Sequence, residues 1–127
     1  MNIKQAAEQS GVSSPNIRFY EKEGLMTPAR NRGNAYRDYT AGDIRTLKLI
    51  RMLRMLDMPL PAIQKILNGE QPLTEALQAQ QAVLEQQAAQ LAAAMQFCAD
   101  LARQQPQADT LDVDACLTRM ESPAPQQ

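Results

Sequence analysis

The side chains able to do chemistry in this 127-residue chain fall in two places. The first is the stretch "RFYEKEGLMTPARNRGNAYRDYT", from Arg18 to Thr40. It holds Phe19 and all three tyrosines, Tyr20, Tyr36 and Tyr39, interleaved with arginines and lysines. Guanidinium groups fork onto phosphate oxygens, and a phenol donates one further bond while its ring covers sugar. That mixture suits a phosphate backbone. The second place is the pair Cys98 and Cys116, two soft donors in a chain with no histidine to complete a ligand set. Asp109, Asp112 and Asp114 cluster on a polar segment without the scaffold that acid–base work needs. No glycine-rich phosphate loop or nucleophile–base pair accompanies them, so an enzyme is not expected.

Charge is divided along the chain. Residues 1–66 hold 11 Lys or Arg against 6 Asp or Glu, whereas residues 67–127 hold 2 against 8. A basic front and an acidic rear fit a polyanion-binding head followed by a tail with another task. No apolar run approaches the ~20 residues of a membrane span. The opening "MNIKQAAEQS" is too polar for a secretory signal. Two distant cysteines do not make a disulfide framework. A cytoplasmic protein with no membrane partner is expected.

Local signals place the first cluster. Asn2 and Gln5 form a capping-box pattern that starts a short helix carrying Ile3, Ala6 and Ala7 on one face. Gly11 ends it, where a left-handed turn needs a residue without Cβ. Ser13 or Ser14 with Pro15 starts a second helix, which carries Ile17 inward and stops near Gly24. Two short helices joined around a glycine make a helix-turn-helix pattern. Pro28, Gly33 and Asn34, with Tyr36 and Tyr39 after them, predict a small β-hairpin. Thr40 and Asp43 open a third helix with Ile44, Leu47, Leu49 or Ile50, Leu53 and Leu56 inward, and Arg45, Lys48, Arg51 and Arg54 largely outward. Pro59 and Pro61 begin a fourth, closed by Asn68 and Gly69.

From Leu73 to about Gln104 the chain consists mainly of Ala, Gln and Leu, without Gly or Pro. At ~1.5 Å per residue this predicts a rod of roughly 48 Å, too long to bury itself against a small head. Leu77, Leu84, Leu91 and Cys98 are seven apart, with Ala88, Met95 and Ala102 between them and Gln81 as the polar exception. This is a coiled-coil seam that calls for a second helix, most simply from another copy. A short helix over Val113–Met120 precedes a Pro- and Gln-rich end expected to be disordered.

"IRFYEKEGL", Pro28, "NAYRDYT" and "DIRTLKLIRMLRMLDMPLPAIQKIL" together resemble the MerR family of bacterial transcriptional regulators over residues 1–68. The resemblance implies a mainly α fold: a winged helix-turn-helix over 1–69 with a small β-hairpin wing, a long antiparallel dimerisation helix over 70–105, and a short C-terminal tail over 106–127. It implies DNA contact by Ser14, Asn16, Arg18 and Tyr20 on the recognition helix, Tyr36 and Arg37 on the wing, and Arg54 on the next helix. Phe19 and Leu25 are assigned to the core. Arg18 alternatively bridges Glu21 or Glu23, and Tyr39 either braces the wing or touches DNA. Where the family has Gly before the wing tyrosine this chain has Ala35, and a positive φ there costs an L-residue about 1 kcal/mol.

The implied mechanism is a homodimer seated on a palindromic promoter site. It bends and untwists over-spaced promoter DNA in response to an effector, so that RNA polymerase engages the same promoter. The dimerisation residues would be Leu77, Leu84, Ala88, Leu91, Met95 and Cys98. No cofactor is expected, and a small organic molecule is the leading effector. The alternatives are a thiol or metal response through Cys98 and Cys116, and a non-transcriptional DNA-binding adaptor.

Overall fold

The computed structural model describes residues 1–27, 29–30 and 37–121. The expected turn residues Pro28, Gly33, Asn34, Ala35 and Tyr36, and the C-terminal end past Glu121, lie outside the described residues. The chain forms two compact units, Met1–Val83 and Leu84–Gln127. Among the described residues no helix is long and apolar enough to cross a membrane.

The first unit opens with α1 (Ile3–Ser10) and α2 (Ser14–Lys22). The start of α1 is fixed by a reciprocal box: Gln5 N–H donates to Asn2 Oδ1 at 2.8 Å, and Asn2 N–H to Gln5 Oε1 at 2.9 Å. Its end is Gly11, at φ 77°. Ser13, rather than Ser14, caps α2, accepting from Asn16 N–H at 3.3 Å. A two-residue antiparallel pairing follows, β1 (Ala29–Arg30) with β2 (Arg37–Asp38), in the register Ala29 to Asp38 and Arg30 to Arg37. The expected hairpin is described only at this pairing.

Next comes α3 (Ala41–Met55), opened by a second box between Thr40 and Asp43 with bonds of 2.9 and 3.1 Å. Its buried residues Ile44, Leu47, Ile50 and Leu53 recur every three positions. That step rotates the apolar stripe by roughly 60° each time. The winding stripe lets one helix pack against both α1 and the following α4 (Leu60–Leu67). Ala6, Ile17, Leu47, Ile50, Leu53 and Ile63 are 0% exposed, with Val12, Tyr20, Leu25, Met26, Tyr39, Ile44, Met58 and Ala76 completing the core. Each fully buried aliphatic contributes about 1.5–3 kcal/mol of transfer free energy. Leu56, expected inward, is exposed because it sits past the last helical residue as the C-cap of α3.

The connection from α3 to α4 is held at three points. Asp57 takes a left-handed φ of 60°, Arg54 Nη1 donates to Met58 O at 3.0 Å, and Gln80 Nε2 donates to Leu56 O at 2.8 Å. Gln80 belongs to α5 (Leu73–Arg103), and it and Ala76 are that helix's buried residues. The buried amide is therefore satisfied, as a buried polar group must be.

The second unit contains the remainder of α5 and α6 (Val113–Glu121). Inside it the Arg119 guanidinium stacks over the Phe97 ring at 5.1 Å.

Candidate nucleic-acid interface

On α2 a buried apolar stripe lies apart from an exposed face that carries polar residues and Phe19. Ile17 and Tyr20 are buried, three residues apart, with Val12 plugging the turn before them. Asn16 and Arg18 point to solvent, and Ser14 is half-buried. Among the described residues Arg18 makes no ion pair with Glu21 or Glu23. Glu21 instead accepts a hydrogen bond from the hydroxyl of Tyr39, which is itself buried. Tyr39 therefore braces the root of the β pairing against α2. Its backbone N–H also donates to Met1 O at 2.8 Å.

Two expectations change here. Phe19, assigned to the core, is 44% exposed, because it lies about 200° around the helix from the inward Ile17. Tyr20, assigned to DNA, has its ring in the core at 8% exposure. Its remaining access is to a cavity of ≈240 Å³ lined by Gly11, Val12, Ser13, Asn16, Tyr20, Arg51, Arg54 and Met55.

Arg45, Lys48, Arg51 and Arg54 are all exposed on α3. They repeat every three residues, so the cationic stripe winds in step with the apolar one. Arg51 and Arg54 reach the same cavity as Asn16 and Tyr20, which joins the outer end of α3 to the front of α2. Of the hairpin residues, Arg37 enters through its backbone pairing with Arg30, and Tyr36 lies outside the described residues. Arg51 was legible in sequence only as one outward cation among four; its place beside Gly11 required the fold.

The seam residues are also placed. Leu77, Ala88, Leu91, Met95 and Cys98 are exposed in the chain and Leu84 is half-buried. Leu91 and Met95 reach 65% and 70% exposure. In the second unit, a cleft of ≈360 Å³ is lined by Leu101, Gln104, Leu111, Asp112, Cys116 and Arg119, among others. Both cysteines are free thiols, Cys98 exposed and Cys116 half-buried. Among the described residues no group of three or more His, Cys, Asp or Glu gathers as a metal site.

A capped helix-turn-helix, a basic third helix and a long helix that follows them in the chain define the class of helix-turn-helix proteins. Residues 1–70 match the profile of the family described as "MerR HTH family regulatory protein", and the chain belongs to that family. It is 42% identical over 67 residues to "Heavy metal-dependent transcription regulator 2" of Rhizobium meliloti, covering 53% of this chain and 46% of that protein. The chain thus spans about half the length of the curated relatives it matches. Among solved structures it is similar to the transcription regulator PbrR691 from Ralstonia metallidurans CH34 in complex with lead(II), at 31% identity and TM-score 0.70, covering 81% of this chain and 86% of that one. It is also similar to HiNmlR, a MerR family regulator lacking the sensor domain, bound to promoter DNA, at 25% identity and TM-score 0.56, covering 97% of this chain and 96% of that one.

Proposed function

We propose that the chain is a homodimeric, DNA-binding transcription regulator. It would seat its two heads on a palindromic promoter site and distort over-spaced promoter DNA for RNA polymerase. The observation that carries this reading is the split of α2: one face is core, while Asn16 and Arg18 stand outward beside the cationic stripe of α3. Phosphate contacts from Arg51, Arg54 and the hairpin would position the heads, and Ser14, Asn16 and Arg18 would reach base edges. Tyr20 supports them from the core side. The exposed seam from Leu77 to Cys98 supplies the dimer, and HiNmlR in its promoter complex supports a duplex partner. The proposed division of labour is a binding head over 1–69, a dimerisation helix over 70–105 and an input tail over 106–127. Selection of bound fragments from a random duplex pool tests the proposal. A two-fold symmetric site between promoter elements is expected; binding without sequence preference would leave only an adaptor.

The heavy-metal and lead(II) relatives favour an input through thiols or soft metal over a small organic effector. A closed metal site is not built from the described residues of one chain, which offer two thiols and no third gathered ligand. The thiol arm of this reading rests on Cys116, which lines the cleft with Asp112 and Arg119. Thiol oxidation or alkylation at Cys116 would alter that cleft without a third ligand. Native mass spectrometry of protein purified from cytosol separates the possibilities, since a retained metal, a thiol adduct and an organic ligand differ in mass.

A further inference from the structure

The seam of α5, which steps by four and three residues from Leu77 to Ala102, falls within about 100° of arc. Apart from the half-buried Leu84 it is exposed. Ala76 and Gln80 are buried in the first unit, and Phe97 and Leu101 are half-buried in the second, but none of these four is a seam residue. What remains on the seam is ordered by size. Two parallel copies would set each residue against itself, so that Ala88 meets Ala88 and Ala102 meets Ala102 between layers of paired leucines. Such layers leave voids or force the helices to narrow and widen in turn. Two antiparallel copies related by an axis between Ala88 and Leu91 avoid this. Leu77 then faces the partner's Ala102, Leu84 faces the partner's Met95, and Ala88 faces the partner's Leu91. Both alanines receive a leucine. The one layer left sets Gln81 against the partner's Cys98, the amide of the seam against its thiol.

We infer that two copies of α5 pair in this register, and that Gln81 with the partner's Cys98 forms the polar layer that fixes it. This rests on the dimer proposed above and adds the register, which that reading leaves open. A single polar residue on an apolar seam costs stability and selects a register, because it must meet a polar partner. A thiol donates weakly to the amide oxygen and accepts weakly from the amide N–H. Slipped by one heptad in one direction, Gln81 faces the partner's Leu91, which offers neither. Slipped in the other, Leu77 and Gln81 overhang the partner's helix, which ends at Arg103. One heptad is about 10.5 Å of helix, so the layer also sets how far apart two heads stand, to within about three base-pair steps of ~3.4 Å.

The test uses the full chain carrying Cys116→Ser, which leaves Cys98 as the sole thiol. In this register the two copies of Cys98 lie about 25 Å apart along the pair, and oxidation in air with copper phenanthroline should leave them unlinked. Adding Gln81→Cys should give a covalent dimer, with peptide masses mapping the bond from position 81 to Cys98. Helix axes 8–10 Å apart, less two Cα radii of about 2.3 Å, leave facing seam Cα atoms roughly 4–6 Å apart, within a disulfide's span. Within one chain positions 81 and 98 are also about 25 Å apart, so the bond must join two copies. A dimer linked through Cys98 alone would mean parallel pairing and overturns the inference. A bond to Cys98 from Ala88→Cys and none from Gln81→Cys would mean a slip of one heptad; it overturns the register while the dimer stands. Gln81→Leu is expected to lower the dimer's dissociation constant about tenfold and to admit half-site spacings about three base pairs apart in the selected fragments. A dimer no tighter than the parent, with a single spacing, overturns the polar layer. A parent chain that sediments as a monomer overturns the proposed dimer and this register with it.

Discussion

The two units solve the problem of apolar surface in opposite ways. The head closes on itself: every buried apolar residue of the core cluster, from Ala6 to Ala76, lies in Met1–Val83. In Leu84–Gln127 no described residue is buried, and α6 leaves Val113, Leu117 and Met120 exposed at helical spacing. One unit buries its apolar side chains within a single copy, whereas the other leaves its apolar side chains exposed or half-buried. Stability and function are therefore drawn from different places. The head carries its own folding energy, and under the proposed dimer the long helix would carry the term that depends on protein concentration.

The sharpest way to break this contrast is to make equivalent cuts in each region. Leu53→Ala, at a fully buried site, is expected to cost 2–5 kcal/mol in urea unfolding, independent of protein concentration. A cost that varies with concentration would mean the head is not self-sufficient. Leu84→Asp combined with Leu91→Asp should leave the head's unfolding midpoint intact, halve the mass in sedimentation equilibrium and lower operator affinity by about 10²-fold or more. A persistent dimer would move the seam to another face of α5. Arg18→Ala, on the exposed face of α2, should weaken operator binding about tenfold with little effect on unfolding, read by titration at several salt concentrations. The smallest effect is expected at Thr40→Ala, where loss of the cap on α3 should cost about 1 kcal/mol and leave the dimer untouched.

What the amino-acid sequence alone makes legible follows the same division. Both capping boxes, Asn2 with Gln5 and Thr40 with Asp43, were legible because a cap is a local contract between residues three apart. Gly11, Gly24 and Gly69 were legible as helix ends, and Gly11 as a left-handed turn, from equally local signals. The long helix announced itself through composition, ending at Arg103 beside the expected Gln104. Which side of α2 faces inward was harder. A nine-residue helix has one narrow buried stripe, and an aromatic residue on its rim reads as core whether or not the fold reaches it. Phe19 fell outside that stripe and Tyr20 inside it. Gln80 and Arg51 were illegible for a different reason. Each acquires its role from a backbone group far along the chain, Leu56 O in one case and the Gly11 turn in the other.

The bond from Gln80 to Leu56 O has a consequence for how such chains can be rebuilt. A single residue inserted between Leu73 and Ala79 would swing everything beyond it by about 100°, carrying the amide off its acceptor. Inserting seven would very nearly restore the phase but would carry Gln80 about 10.5 Å along the helix axis, so the amide would still miss Leu56 O. A replacement for the later part of α5 is therefore best joined beyond Gln80, where the single tooth that engages the α3–α4 connection stays in place.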